Sequence, residues 1–409
     1  MIKAYRVMLL PNNKQTTRLI ETSDAARYAY NWTVGKQMKA FEETGKYIPE
    51  NEIRKMFTEH KQEKAWLYGI SNNATKQAIK DACDAFWRFV KEKKKPGYKP
   101  YSKKKIRRAT EKGITLGRYE MKHHPKFKKK GKAQPKFYAD NVKISFTDTH
   151  VVLEKIATST RRNRTVQNKI KLAEKNRIPV GVKYTNPRVT YDGLNWWISV
   201  GVEATHREAK AVSEGIGIDV GINKLAVDSN GNEHRNINKD IKVRKLKKRQ
   251  RRLQRSISRK YNKNKEGERY KKTSNIVKSE NKLQKLHLRL TGIRHNHVHQ
   301  VTNSIVKQKP SFIVVEDLNV QGMMKNKHMS KAIQEQCLYE FSRQLEYKSE
   351  YRGITFKKAN QMYPSSKLCS VCGNIKKDLK LSERTYRCNC GNVLDRDLNA
   401  AINLMKYAV

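Results

Sequence analysis

Lys and Arg outnumber Asp and Glu by 89 to 38 in this chain, which leaves a formal net charge of +51. A surface with that excess repels itself and needs a polyanion to neutralise it, and nucleic acid is the obvious candidate. The excess does not mark an unfolded polymer. The 409 residues include 5 Trp, 19 Tyr and 10 Phe, together with many β-branched runs that disordered chains lack. Such a length accommodates roughly two to four domains. The longest apolar runs, 7–10 and 312–315, fall far short of the ~20 residues needed to span a bilayer, so no membrane span is expected. The first residues hold too short an apolar core for a secretory signal, and a cytosolic protein is expected.

The charge is arranged. Residues 241–260 hold 11 Lys and Arg and no acid, so a helix there would be basic nearly all round, with Lys247, Lys248, Arg249, Arg251 and Arg252 at its centre. A second basic region interleaves aromatics at 96–108 and 123–137. Here Lys103, Lys104, Lys105, Arg107, Arg108, Lys126 and Lys128 are candidates for holding phosphates. Tyr98, Tyr101, Phe127 and Phe137 are candidates for stacking on bases. One such run alone could be a solvated charged face; several in one chain point to nucleic acid.

Residues 2–10 alternate and stop at Pro11, which reads as one strand. Helical spacing begins near Lys14. Ser71 reads as an N-cap before a further helix that carries Ala74, Ala78, Ile79, Ala82, Phe86 and Phe89 on one face. Residues 142–202 read as strands, with a hairpin turning at Asp192-Gly193, and suggest a small barrel or sandwich. Pairing of those strands with the first would make the helical part an insertion. From Gly215 two strands, GIGIDV and KLAVDS, together with an Asn230-Gly231 turn read as a hairpin. Two long helices follow at about 240–264 and 274–308, then a buried-type strand at 311–318. A helix near 331–349, a strand near 353–358, a cysteine cluster and a last helix at about 398–406 complete the chain.

Acids at strand and helix ends are the candidates for chemistry. In GIGIDVGINKLAV the alternation puts Gly217, Asp219 and Gly221 on one face, so Asp219 is flanked by bare backbone with room for a metal ion and a phosphate. The plain alternative is a turn-end Asp. The run SFIVVEDL is a buried strand that ends in Glu316 and Asp317, and ligands gather at the carboxyl ends of strands in open α/β sheets. Glu316 shares a face with Phe312 and Val314, whereas Asp317 suits a cap or solvent. Asp395 and Asp397 stand at or just before a helix start, where either could be only an N-cap. Acids so placed in a basic chain suggest Mg²⁺-dependent, two-metal cleavage of phosphodiesters.

Four of the six cysteines fall within 22 residues, as Cys369-Ser-Val-Cys372-Gly and Cys388-Asn-Cys390-Gly. Four thiolates on two turns suit tetrahedral, structural Zn²⁺, and the glycines let each turn fold back. The second pair is one residue shorter than the usual spacing. Cys83 and Cys337 lie alone in helical patterns and read as core thiols. His295, His297 and His299 do not read as a metal site, because only the first and last share a helix face.

Five ordered motifs, GIDVGINKLA, VVEDLNVQGM, SSKLCSVCG, RTYRCNCG and LDRDLNAAINL, resemble the TnpB family. These are nucleases encoded by insertion sequences and related to the type V CRISPR effectors. The resemblance runs over nearly the whole chain and implies a multidomain α+β protein. Its parts would be a wedge β-barrel (1–12 and 119–212) with an inserted helical recognition lobe (13–118), then an RNase H-like, RuvC-type α/β nuclease domain (213–364 and 394–409) holding a zinc ribbon (365–393). It implies that Asp219, Glu316 and Asp397, rather than Asp395, are the Mg²⁺-binding catalytic acids, and that Cys369, Cys372, Cys388 and Cys390 hold Zn²⁺. It also implies RNA-guided cleavage of double-stranded DNA beside a short adjacent motif, with a guide RNA from the transposon end and a monomer as the favoured state. The rival expectations are a nuclease-inactive or guide-independent nucleic-acid-binding protein, such as a repressor or transposition accessory factor, and a DNA-joining transposase.

Overall fold

A computed structural model of the chain describes residues 2–117, 120–156, 168–204, 212–380 and 382–408. Two compact units divide it, Ile2–Ala204 and Thr205–Val409. The domain boundary expected at 118/119 lies outside the described residues. No helix among those described is long and apolar enough to cross a membrane.

The first unit runs β1 (Ile2–Leu10), α1 (Asn13–Thr44), α2 (Glu50–Gln62), α3 (Asn72–Lys93), α4 (Lys103–Glu111), β2 (Lys136–Tyr138), β3 (Ser145–Phe146), β4 (His150–Val152), β5 (Lys169–Leu172), β6 (Tyr184–Tyr191) and β7 (Trp196–Glu203). The strands form one antiparallel sheet in the order β2-β6-β7-β1-β5-β4-β3. β1 lies in its interior, paired from Ile2↔Glu203 to Leu9↔Trp196 with β7 and at its far end with β5. The helical stretch is therefore inserted between the first and second strands of a single sheet. β2 and β3 stand at opposite edges, with no pairing between them among the described residues. Alternation buries Val7 and Leu9 of β1 with Ile198, Val200 and Val202 of β7, and these share one apolar core with Leu19, Ala29, Ile79 and Phe86 of the helices.

Local chemistry fixes the joints. The Asp192 carboxylate accepts hydrogen bonds from the Leu194 and Asn195 amides (2.9 and 2.8 Å) and from the Trp197 indole (2.7 Å), while Gly193 turns the chain at φ +96°. Ser71 does hold the N-cap position of α3, but its hydroxyl does not cap. It donates instead to the Glu154 carboxylate at 2.7 Å, a charge-assisted hydrogen bond.

The second unit runs β8 (Ile216–Val220), β9 (Lys224–Asp228), β10 (Glu233–Arg235), α5 (Ile241–Lys263), β11 (Lys265–Glu266), β12 (Arg269–Tyr270), α6 (Ser274–Lys307), β13 (Phe312–Glu316), α7 (Val320–Met323), α8 (Ser330–Gln336), α9 (Leu338–Tyr351), β14 (Thr355–Ala359), β15 (Thr385–Arg387), β16 (Val393–Asp395) and α10 (Arg396–Lys406). Its main sheet has the order β10-β9-β8-β13-β14. β8, β13 and β14 are parallel, and β9 and β10 are antiparallel to their neighbours. Ile216, Ile218, Ile313 and Val315 on one face pack with Val298, Val301 and Ile305 of α6 and Phe341 and Leu345 of α9. On the opposite face Val314 packs with Leu404 of α10.

Two expectations are corrected here. The Asn230-Gly231 turn joins β9 to β10, with Gly231 at φ +82°, while β8 and β9 turn through residues 221–223. The helix expected at 331–349 is broken at Cys337, which adopts φ +59° between α8 and α9. The break accompanies the tie made just before it: the buried Gln336 amide donates to the carbonyls of Gly221 (3.1 Å), Ile222 and Lys224 (both 3.3 Å). Cys337 is thus a half-buried thiol at a helix break, packed against the core rather than inside it; Cys83 is buried in α3 as expected.

Asp192→Ala removes three accepted hydrogen bonds from the β6–β7 joint. It is expected to destabilise the first unit by about 1–3 kcal/mol. Urea unfolding of the full chain followed by tryptophan fluorescence would show it as an earlier transition, and an unmoved transition would refute this account of the turn.

Candidate catalytic and metal sites

β8 and β13 pair in parallel with Ile216↔Ile313, Gly217↔Val314 and Ile218↔Val315. The next step of that register sets Asp219 beside Glu316, at the carboxyl ends of both strands. Alternation sends Gly217 and Asp219 to the same face. A β-carbon at Gly217 would collide with the Ala401 carbonyl and the Met405 amide, so α10 lies directly on the bare strand and the Asp219 face is the one it covers. Asp397 precedes Ala401 by four residues and shares its helix stripe. Glu316 lies on the Val314 face, which meets α10 through Leu404. Strand register and helix period therefore direct three acids from 81 to 178 residues apart toward one place.

Electrostatics agrees with that placement. Burial, then the negative charges of Asp397 and Glu316, push the Asp219 carboxyl up to about 7, with Arg396 opposing them. Burial also raises Glu316. A buried Asp219 with two further acids acting on it is a site that a hard divalent cation, with its positive charge, would suit.

Asp395 and Asp397 have separate tasks. The Asp395 carboxylate caps α10, accepting from the Asp397 and Leu398 amides at 2.9 and 3.2 Å, and stands 3.4 Å from the Lys224 ammonium. Capping therefore accounts for Asp395 and leaves the Asp397 carboxylate uncommitted to the helix. The Arg384 guanidinium lies 3.9 Å from it. Asp317 sits apart, accepting from the Gln361 amide at 3.0 Å. Neither Lys224 nor Arg384 is singled out by sequence pattern, since each reaches its acid only through the fold.

Among the described residues the four cysteines are the one His, Cys, Asp or Glu cluster close enough to share a single ion, their sulfurs all lying within 4.8 Å of one another. Cys369–Cys390 and Cys372–Cys388 are 3.7 and 3.6 Å apart. Tetrahedral Zn–S bonds of ~2.3 Å require a separation of about 3.8 Å, whereas a disulfide closes to about 2.05 Å. The short second pair converges because Gly391 turns at φ +89° and donates back to the Cys388 carbonyl at 3.0 Å, much as Gly373 does to Cys369. Burial would raise the Cys369 thiol, but hydrogen bonds from the Cys372 and Val371 amides and the Asn392 side chain bring it down to about 6, toward the thiolate a metal requires.

The basic candidates divide. α4 buries no residue and displays Lys103, Lys104, Arg107 and Arg108, while the Lys105 ammonium is tied to the Glu120 carbonyl at 2.6 Å. Lys126 and Phe127 are exposed. Lys128 turns inward over the Tyr30 ring, 3.2 Å from its centre, and burial lowers its ammonium to about 8. Phe137 is buried in the core, and the Tyr98 and Tyr101 hydroxyls donate to backbone carbonyls. Lys247 is half-buried against Glu335, which also pairs with Arg294 at 3.2 Å. Lys248, Arg249, Arg251 and Arg252 remain exposed on α5, and Arg251, Arg252, Arg255 and Arg259 line an open groove of about 680 Å³. His297 faces the Arg235 carbonyl at 2.8 Å.

Residues 198–327 match the family described as "Probable transposase" (OrfB_IS605), 339–404 match "Cas12f1-like, TNB domain", and 1–46 match the "Helix-turn-helix domain" of the same OrfB group. The last stretch is here one strand and one 32-residue helix. The chain is 27% identical to a "Putative RNA-guided DNA endonuclease" of Streptomyces pristinaespiralis, over 98% of this chain and 88% of the relative. It is equally identical to "Putative RNA-guided DNA endonuclease InsQ" of Escherichia coli K12, over 99% of this chain and 92% of the relative. A solved chain titled "Cryo-EM structure of the Cas12f1-sgRNA-target DNA complex" shares the fold with TM-score 0.57 at 13% identity, covering 96% of this chain and 82% of that one. The chain is a multidomain α+β protein with a fold like that of the type V effectors. Its matched domains are those of the OrfB_IS605, TnpB-like group.

Two measurements test the sites. Asp219 is raised from an ordinary 3.8 to about 7, so folding favours its protonated form. That contribution is present below about pH 4 and lost as pH rises through about 7. In Mg²⁺-free buffer the melting temperature should fall from pH 5 to 8 more steeply for the natural chain than for Asp219→Asn, and Mg²⁺ should restore the natural chain at pH 8; parallel curves would refute the crowding of acids. Elemental analysis should find about one zinc per chain, lost with an earlier melting transition in Cys372→Ser. A zinc-free, equally stable natural protein would exclude the metal.

Proposed function

We propose that this protein is an RNA-guided endonuclease that cuts double-stranded DNA beside a short adjacent motif, using a guide RNA transcribed from a transposon end. The observation that carries the reading is the convergence of Asp219, Glu316 and Asp397 at the carboxyl ends of β8 and β13 and the start of α10, with Asp219 raised to about 7 by burial and its acid neighbours. The three carboxylates would hold Mg²⁺, which when bound as a pair activates the attacking water and stabilises the leaving oxygen. Asp395 fixes the start of the helix that carries Asp397, and Gly217 lets that helix approach the strand. The exposed arginines of α5 and lysines of α4 supply positive charge for nucleic-acid backbones without reading sequence, as expected where base pairing to a guide does the reading. The naming of near-full-length relatives as RNA-guided DNA endonucleases supports the guide. Action as a monomer in the prokaryotic cytosol belongs to the same reading.

The test is purification from cells that carry the native flanking DNA, sequencing of the co-purified RNA, and cleavage assays with that RNA and Mg²⁺. One abundant RNA with a constant scaffold and a variable end, and cleavage directed by that end, are expected. Asp219→Ala should lower cleavage by at least about 10³-fold, since several kcal/mol of transition-state stabilisation go with the ion. Binding of RNA and DNA without any cutting by the natural chain would favour a repressor or accessory factor, and a joined-strand product would favour a transposase.

A further inference from the structure

α10 carries two separate stripes. The Ala401 carbonyl and the Met405 amide meet the strand at Gly217, and Asp397 stands one turn before Ala401 on the same stripe. Asn399, Asn403 and Lys406 stand at i, i+4 and i+7 on another side, and all three bond to backbone of the cysteine ribbon. The Asn399 side chain donates to the Leu368 carbonyl at 2.7 Å and accepts from the Ser370 amide at 3.0 Å, bracketing Cys369. The Asn403 amide donates to the carbonyls of Ser365 and Leu368 at 2.8 and 2.6 Å. The exposed Lys406 ammonium donates to the Ser370 carbonyl. Both asparagines are fully buried, where an unmatched amide would be costly, so their satisfaction depends on the path of the ribbon backbone. The other side of the ribbon holds the start of the same helix: the Arg396 amide donates to the Arg384 carbonyl at 2.8 Å, and its guanidinium to those of Lys380 and Glu383 at 3.3 and 3.2 Å.

A helix held along one side cannot rotate about its axis without breaking those bonds, and one residue of rotation is about 100°, enough to take Asp397 off the strand. We propose that Asn399 and Asn403 are positioning residues that fix the rotation of α10 against the four-cysteine ribbon, so that loss of the ribbon's metal weakens ion binding at the acid site by way of Asp397. The inference rests on the reading of Asp219, Glu316 and Asp397 as ion ligands. It gives the ribbon a role in the acid site beyond any contact with nucleic acid.

The test uses the full chain and Mn²⁺ as the probe, with binding followed by electron paramagnetic resonance. Asn403→Leu and the milder surface variant Lys406→Met are compared with the natural chain, with zinc content and melting measured alongside. For Asn403→Leu, Mn²⁺ affinity should fall about 10- to 100-fold, the range found for residues that orient metal ligands, while zinc stays bound. Lys406→Met should show a smaller fall in the same direction. Independently of any variant, zinc is removed from the natural chain with a thiol-competing chelator, the chelator is desalted away, and zinc is then restored. Mn²⁺ affinity should drop and recover. Unchanged Mn²⁺ affinity in zinc-loaded Asn403→Leu, or after zinc removal, overturns the proposal. If the natural chain shows no Mn²⁺ site sensitive to Asp219→Asn, the nuclease reading fails and this inference with it. If that site is present and DNA is cut while the latch variants bind Mn²⁺ normally, this inference alone fails.

Discussion

The contact on which the second unit depends is backbone against backbone: α10 lying on β8 where Gly217 has no side chain. One face of the sheet is closed by α6 and α9 through branched apolar residues, an ordinary packed layer. The other receives a helix so closely that a single methyl group would lift it away. Two acids of the candidate site take their direction from that approach, since Asp219 follows Gly217 by one strand period and Asp397 precedes Ala401 by one helical turn. The first few residues of α10 thus belong at once to a sheet, to a cap made by Asp395 and to the ribbon.

The periodic parts of this arrangement were legible in the residues. Alternation in GIGIDV and SFIVVE placed Asp219 and Glu316 on their faces, and the structure keeps them there; the cysteine spacing announced two turns, and the structure folds both. The ambiguity between Asp395 and Asp397 was not resolvable from spacing, because both stand where a cap could form. Only the hydrogen bonds assign the cap to Asp395.

What escaped the sequence is non-local or unmarked by turn residues. The helix break at Cys337 carries neither Gly nor Pro, and it coincides with a tie from Gln336 to a turn 112–115 residues away. Asn230-Gly231 was a correct turn assigned to the wrong pair of strands, since the tighter turn at 221–223 has a weaker signature. Lys128 and Lys247 read as free cations in basic runs, yet Tyr30 and Glu335 occupy them. Formal charge counted along a chain therefore overstates what is available at its surface.

The position of β1 bears on how the protein is made. The strand occupies residues 2–10, but its main partner β7 ends at residue 203. On a ribosome adding ~5–20 residues per second, about ten to forty seconds separate the emergence of the two. During that interval a central strand with Val7 and Leu9 unburied waits beside a highly basic, half-built chain. The inserted helices can form locally in that time, because their contacts are short in sequence, but the sheet that completes their core cannot. The sheet of the first unit thus closes only after residue 203 has joined it.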